Sequence, residues 1–123
     1  MNCRGRDVNV VQQTGERLDI VVRRGVTVGP YHHQINKSDG TVYDLTGHVF
    51  AGQVRDSADT MVAEFEFDMP SPTEGWYEFS IPFDAMLDVP PGRYNFDTEM
   101  VLPDGTVMPV FFGVFDLKAE VTK

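Results

Sequence analysis

The chain has 123 residues, 41% of them hydrophobic, which is room for one domain that buries roughly two-thirds of its unfolded surface. Nineteen acidic against ten basic side chains give a net charge of −9, a balance that repels nucleic acid and excludes the basic surface such binding needs. No run approaches the ~20 apolar residues of a membrane-spanning helix, and the single cysteine, Cys3, excludes an internal disulfide framework and any multi-cysteine metal site.

The first residues, MNCRGRDVNV, lack the apolar run of a secretory signal, and the expectation is synthesis in a reducing cytoplasm. Charge is uneven along the chain. Residues 1–24 hold five arginines (Arg4, Arg6, Arg17, Arg23, Arg24) against Asp7, Glu16 and Asp19, whereas residues 25–123 hold five basic and sixteen acidic groups. The division expected is an N-terminal arm, 1–14, ahead of one β domain, 15–123. The arm either docks on a neighbouring copy or acidic partner, or simply carries surface arginines that fall early.

Helical periodicity is nearly absent. Short β-prone runs separated by Gly, Pro and Asp clusters predict strands near 7–13, 17–24, 26–36, 48–55, 61–69, 75–81, 93–102 and 106–118. Between the third and fourth, Asp39-Gly40 favours a two-residue hairpin turn, and Asp104-Gly105 after Pro103 repeats it. The strand 61–69 places Ala63, Phe65, Phe67 and Met69 inward and Glu64, Glu66 and Asp68 outward. PSPTEG, 70–75, reads as a rigid loop, since its prolines do not join a sheet interior. In 75–81, Tyr77, Phe79 and Ile81 share one face; Trp76, Glu78 and Ser80 share the other, where Trp76 either caps the sandwich or anchors a partner. PFDAMLD, 82–88, allows at most one helical turn.

The last two runs form the most legible hairpin. Tyr94, Phe96, Thr98, Met100 and Leu102 alternate with Asn95, Asp97, Glu99 and Val101, one face for a core and one for water. The final run is apolar on both faces, with Val107, Phe111 and Phe115 on one and Met108, Val110, Phe112 and Val114 on the other. Such a strand needs cover on both sides, from its own domain or from another molecule. Gly113 marks a bulge or a close backbone approach, and Pro109 an edge or a break. The candidate interface residues are therefore Arg4, Arg6, Val8, Val10, Trp76, Met108, Val110, Phe112 and Val114.

No catalytic constellation stands out. His32 and His33 are adjacent, so a strand points them to opposite faces and they do not chelate one metal together. No zinc motif accompanies them or His48. Cys3 has no nearby histidine, and none of Ser38, Ser57, Ser71 or Ser80 lies in a Gly-x-Ser-x-Gly elbow. Asp39, Asp44, Asp56, Asp59 and Asp104 sit in predicted turns, where calcium is one reading and local turn chemistry the plainer one. Glu64, Glu66 and Glu78 read as a solvated face rather than a glycosidase pair. The expectation is no enzyme, no cofactor and no metal.

The order DGTVYDLTG, GQVRDS, a proline loop, PPGRYNFDTEMVLPDGT and GVFDLKAEVT resembles small β-sandwich proteins of tailed-phage particles, including baseplate upper protein N-terminal domains and tail, neck or head-accessory subunits. The matching positions are Asp44, Leu45, Thr46, Gly47, Val54, Arg55, Gly92, Tyr94, Asp97, Pro103, Asp104, Gly105, Gly113, Val121 and Thr122, spread over roughly 15–122. The segment VTVGPYHHQIN departs from the pattern. The resemblance implies an all-β, antiparallel immunoglobulin-like sandwich of about seven or eight strands, working by assembly in a virion. It implies a symmetric homo-oligomer, partnered with other virion structural proteins and with neither nucleic acid nor membrane. Two other readings stand beside it: a carbohydrate-binding module stacking sugars on Trp76, Tyr77, Tyr31 or Tyr43, and a small barrel with an enzyme or lipid pocket.

Overall fold

Alternation of apolar and polar residues becomes nine strands in the structure, a computed structural model that describes residues 15–120. They are β1 (Glu16–Arg17), β2 (Ile20–Arg23), β3 (Val28–Gln34), β4 (Val49–Arg55), β5 (Met61–Glu64), β6 (Glu66–Ser71), β7 (Trp76–Ile81), β8 (Gly92–Val101) and β9 (Val107–Lys118). They form two sheets. The larger has six strands in the order β1, β9, β8, β4, β5, with β2 also on β9; the smaller has the order β3, β7, β6. A core of both sheets' inward residues lies between them, including Val54, Phe65, Tyr77, Phe79, Phe96 and Phe115. The architecture is thus all-β and sandwich-like. The arm 1–14 and the strand expected at 7–13 lie outside the described residues.

Phe65 is the hinge of the core. The expected single strand 61–69 is two strands, because the chain leaves the larger sheet after Glu64 and joins the smaller at Glu66. Phe65 itself donates its N–H to the Gly52 carbonyl at 2.9 Å and packs edge-on to Phe79, 5.6 Å between centroids, and against Phe96 at 5.7 Å. Ala63, Phe65, Phe67 and Met69 stay inward across the switch, so the phase survives the change of sheet. Pro70 falls near the end of β6, an edge strand, where its missing N–H costs no ladder bond.

Two expectations are corrected, and two connections are filled in. The larger sheet is mixed rather than antiparallel: β1 and β2 run parallel to β9, with Glu16 opposite Phe111 and Ile20 opposite Phe115. The hairpin turns are longer than two residues. At Leu102–Thr106 the Leu102 N–H reaches the Thr106 carbonyl and the Gly105 N–H reaches that of Leu102, both 2.8 Å; Lys37–Thr41 and Asp56–Thr60 repeat the pattern. Gly40, Gly105 and Asp59 take the left-handed conformation while Asp39 and Asp104 do not, which defines a three-residue loop with a bulge. Finally, 82–88 forms successive turns (Ala85 N–H to Pro82, Val89 N–H to Met86) that plug the core with Met86 and Val89, while the proline loop holds a 3-10 turn at Pro72–Glu74.

A one-residue slip also redistributes the faces of β9. The β8–β9 register shifts between Thr98–Phe111 and Glu99–Pro109, leaving Val110 as the extra residue. Before the bulge, Met108 pairs with Met100 toward the core and Val107 turns outward; after it, Phe111, Phe115 and Leu117 face the core. Met108 and Val110 pack against the core rather than lying with Phe112 and Val114. Among the described residues no helix is long and apolar enough to cross a membrane.

Candidate functional site

Two features stand apart from the packed core: a groove at one edge of the sandwich and the outer face of β9. The groove lies between β2, an edge of the larger sheet, and β3, an edge of the smaller. Its walls are Leu18, Asp19, Ile20 and Val21 on one side and Tyr31, His32 and His33 on the other, with Phe79 and Phe111 as floor. Its volume is about 320 Å³.

Asp19 builds the first wall. Its Oδ1 accepts the Val114 N–H at 3.0 Å, replacing a strand bond where β1 gives way to β2, and Arg17 pairs with the same oxygen at 3.1 Å. The Val114 N–H holds the carboxyl below the usual carboxylate range, with Arg17 adding to it. Gly113 makes the approach possible, since a Cβ there would overlap the Leu18 carbonyl oxygen. The close neighbour anticipated at Gly113 is the chain's own Leu18 backbone with the Asp19 carboxylate.

His33 and Tyr31 supply the second wall. Pairing across β3 and β7 sets Tyr31 opposite Phe79 and His33 opposite Tyr77 on the inner face, and His32 opposite Glu78 on the outer. The two histidines point apart, as adjacent strand residues must. His32 Nδ1 lies 3.3 Å from Glu78, while His33 Nδ1 lies 2.9 Å from the Tyr77 hydroxyl, with its ring 4.7 Å from Phe111. Burial keeps the Tyr77 phenol protonated well above its ordinary range, and the imidazole tautomer sets which of the two partners donates. Burial also lowers the His33 pKa, opposed by the Glu16 carboxylate.

The outer face of β9 carries Phe112 and Val114, half-buried and outside the core cluster. Toward one end of the same face, Val49, Val101 and Val107 stand side by side across β4, β8 and β9. Val49 is 61% and Val107 53% exposed. Of the interface residues expected from sequence, Phe112 and Val114 thus share a face, Met108 and Val110 leave it, and Arg4, Arg6, Val8 and Val10 lie outside the described residues. Trp76 is 38% exposed on the outer face of the smaller sheet, far from an aromatic row: Tyr77 is fully buried and Tyr31 faces inward.

The remaining polar candidates have local structural partners. Asp39 and Asp44 each accept the N–H and hydroxyl of the threonine two residues on, and Asp104 accepts the Thr106 N–H. Asp56 accepts from Ala58 and Thr60. These are turn bonds, as their local chemistry suggested. His48 is buried, its Nδ1 3.2 Å from the Thr46 carbonyl oxygen and its Nε2 3.2 Å from the Tyr43 hydroxyl. Glu64 lies in the larger sheet, while Glu78 of the smaller stands opposite Asp68, so the three glutamates do not converge. Among the described residues no group of three or more His, Cys, Asp or Glu is placed to hold a metal.

Sequence reasoning missed the groove because its two walls are roughly 80 and 90 residues from Phe111, the floor residue they meet on β9. One signal was available: Tyr31 and His33 share the phase of Ile35, which packs on the core, so His33 was legible as the inward histidine. No family model matches the chain, and no curated protein matches it.

Proposed function

We propose that the chain is a non-enzymatic structural subunit that forms a symmetric homo-oligomer and bridges other proteins of a particle, in keeping with its resemblance to sandwich subunits of tailed phages. One observation carries the reading: the apolar side chains on the outer face of the six-stranded sheet, the row Val49, Val101 and Val107 at one end, then Ala51 and Pro109 flanking Glu99, then Phe112 and Val114. The smaller sheet covers the opposite face, so the strip is turned away from the domain's own core. Isolated exposed apolar side chains are ordinary, but several gathered on one uncovered sheet face, interrupted only by Glu99 and Asp97, point to an interaction surface. Around a two-fold axis such a patch meets itself.

Fully burying a valine or phenylalanine contributes roughly 1.5–3 kcal/mol, so a strip of five residues that starts partly exposed adds several kcal/mol to association. Light scattering on the purified chain is expected to report one discrete oligomer. Phe112→Thr with Val107→Thr keeps strand propensity and should weaken association at least tenfold with an unchanged circular dichroism spectrum. A wild-type monomer at every concentration, or an oligomer indifferent to the double substitution, counts against the proposal.

A further inference from the structure

We propose that the edge groove accepts a strand donated by a second copy of this chain, and that the donor is the segment around Val8–Val11 of the N-terminal arm. The inference rests on the reading of the protein as an assembly subunit and names the partner of its edge. Among the described residues β2 pairs only with β9 and β3 only with β7, so each presents a free edge to the groove. Edge strands carry unpaired N–H and C=O groups, and an extended segment between two of them satisfies both. The floor of Phe79 and Phe111 is apolar, as alternate side chains of an inserted strand require.

Chain length and direction identify the donor. Residues 1–14 lie outside the described structure and join it at Gly15, three residues before the groove wall begins at Leu18. Val8 and Val10 fall on one side of an extended strand and Asn9 on the other. Fourteen residues reach roughly 45 Å when extended, enough to cross to a neighbour. β1 is parallel to β9, with Glu16 against Phe111, so a straight continuation upstream passes Val110 and leads away from the chain's own groove. A return would require a reversal at or just before Gly15, which takes the left-handed conformation a turn uses, whereas a neighbour's arm enters without one. Charge agrees: Arg4 and Arg6 precede the valines, while Glu16 and Asp19 flank the groove and Glu78 lies behind β3.

Insertion with Val8 and Val10 inward sets Asn9 on the outer side, level with His32. In a Cys3→Ser background, one chain carries Asn9→Cys and a tagged second chain His32→Cys. Mixed at equal concentration and treated with a short thiol–thiol cross-linker, they should give a cross-linked heterodimer. Its yield should fall at least tenfold when Val8→Asp and Val10→Asp are added, with the dichroism spectrum unchanged. Cross-linking confined to a single chain bearing both cysteines would overturn the proposal in favour of the chain's own arm. No cross-link from a protein that light scattering shows to be oligomeric would overturn it while leaving the assembly reading intact. A monomer without cross-link would remove both.

Discussion

A histidine wedged between aromatic rings is costly to charge, and His33 sits between Tyr77 and Phe111 with its Nδ1 committed to the Tyr77 hydroxyl. Its folded pKa lies below the ordinary value of about 6.5, through burial. Below pH 6.5 the unfolded chain therefore takes up a proton that the folded chain resists. Stability is full above pH 6.5 and falls as pH drops through the folded value. Asp19, Asp39, Asp44 and Asp104 act lower on the scale, because hydrogen bonds hold their pKa values below the ordinary carboxylate. Their contribution is present above that ordinary value and is lost as pH falls through the folded ones. Melting curves should thus decline in two stages, one below pH 6.5 and one below about pH 4. His33→Gln keeps a hydrogen-bond partner for Tyr77 and should flatten the first stage only. Parallel profiles for wild type and variant would assign the upper stage elsewhere.

At the scale of elements, β9 organises the larger sheet by holding β8 on one side and β1 with β2 on the other. Gly113 is the point where this works, since the Leu18 carbonyl and Asp19 carboxylate occupy the space a Cβ would fill. Gly113→Ala keeps the strand backbone but forces the β1–β2 connection outward, an overpacking cost of about 1–3 kcal/mol. Amide exchange should quicken at Leu18, Val114 and Arg24, which bond across this seam or are bonded at it, while β4 and β8 stay protected. Uniform loss of protection would show that the seam is not a separate element.

The same strand explains what was legible. Alternation in β7 and β8 is uninterrupted, so Tyr77, Phe79, Ile81, Phe96 and Met100 were identifiable as core from sequence. In β9 one extra residue at Val110 inverts the phase upstream of it, and pattern reading carried Val107 to the wrong face. Parallel pairing was hidden for a different reason: turn chemistry identifies hairpins between neighbours, whereas Ile20 meets Phe115 across nearly the whole chain. Gly113 pointed to a close approach without naming what approaches.

At the scale of the whole molecule, charge and assembly oppose each other at long range and agree at short range. Copies carrying −9 each repel, but their centres are separated by more than the Debye length of about 10 Å at 0.1 M salt, so that repulsion is already screened. Contacts between the arm's Arg4 and Arg6 and the acidic groups around the groove act over a few ångströms and persist until higher salt. Raising salt from 0.1 M to 0.5 M should therefore weaken association of the full chain, read as a falling weight-average mass in light scattering. Arg4→Gln with Arg6→Gln removes the short-range attraction and leaves residual repulsion and the apolar strip. For that variant added salt should leave association unchanged or strengthen it. If both proteins respond alike, the arginines take no part in assembly, and the burden falls on Phe112, Val114 and the valine row.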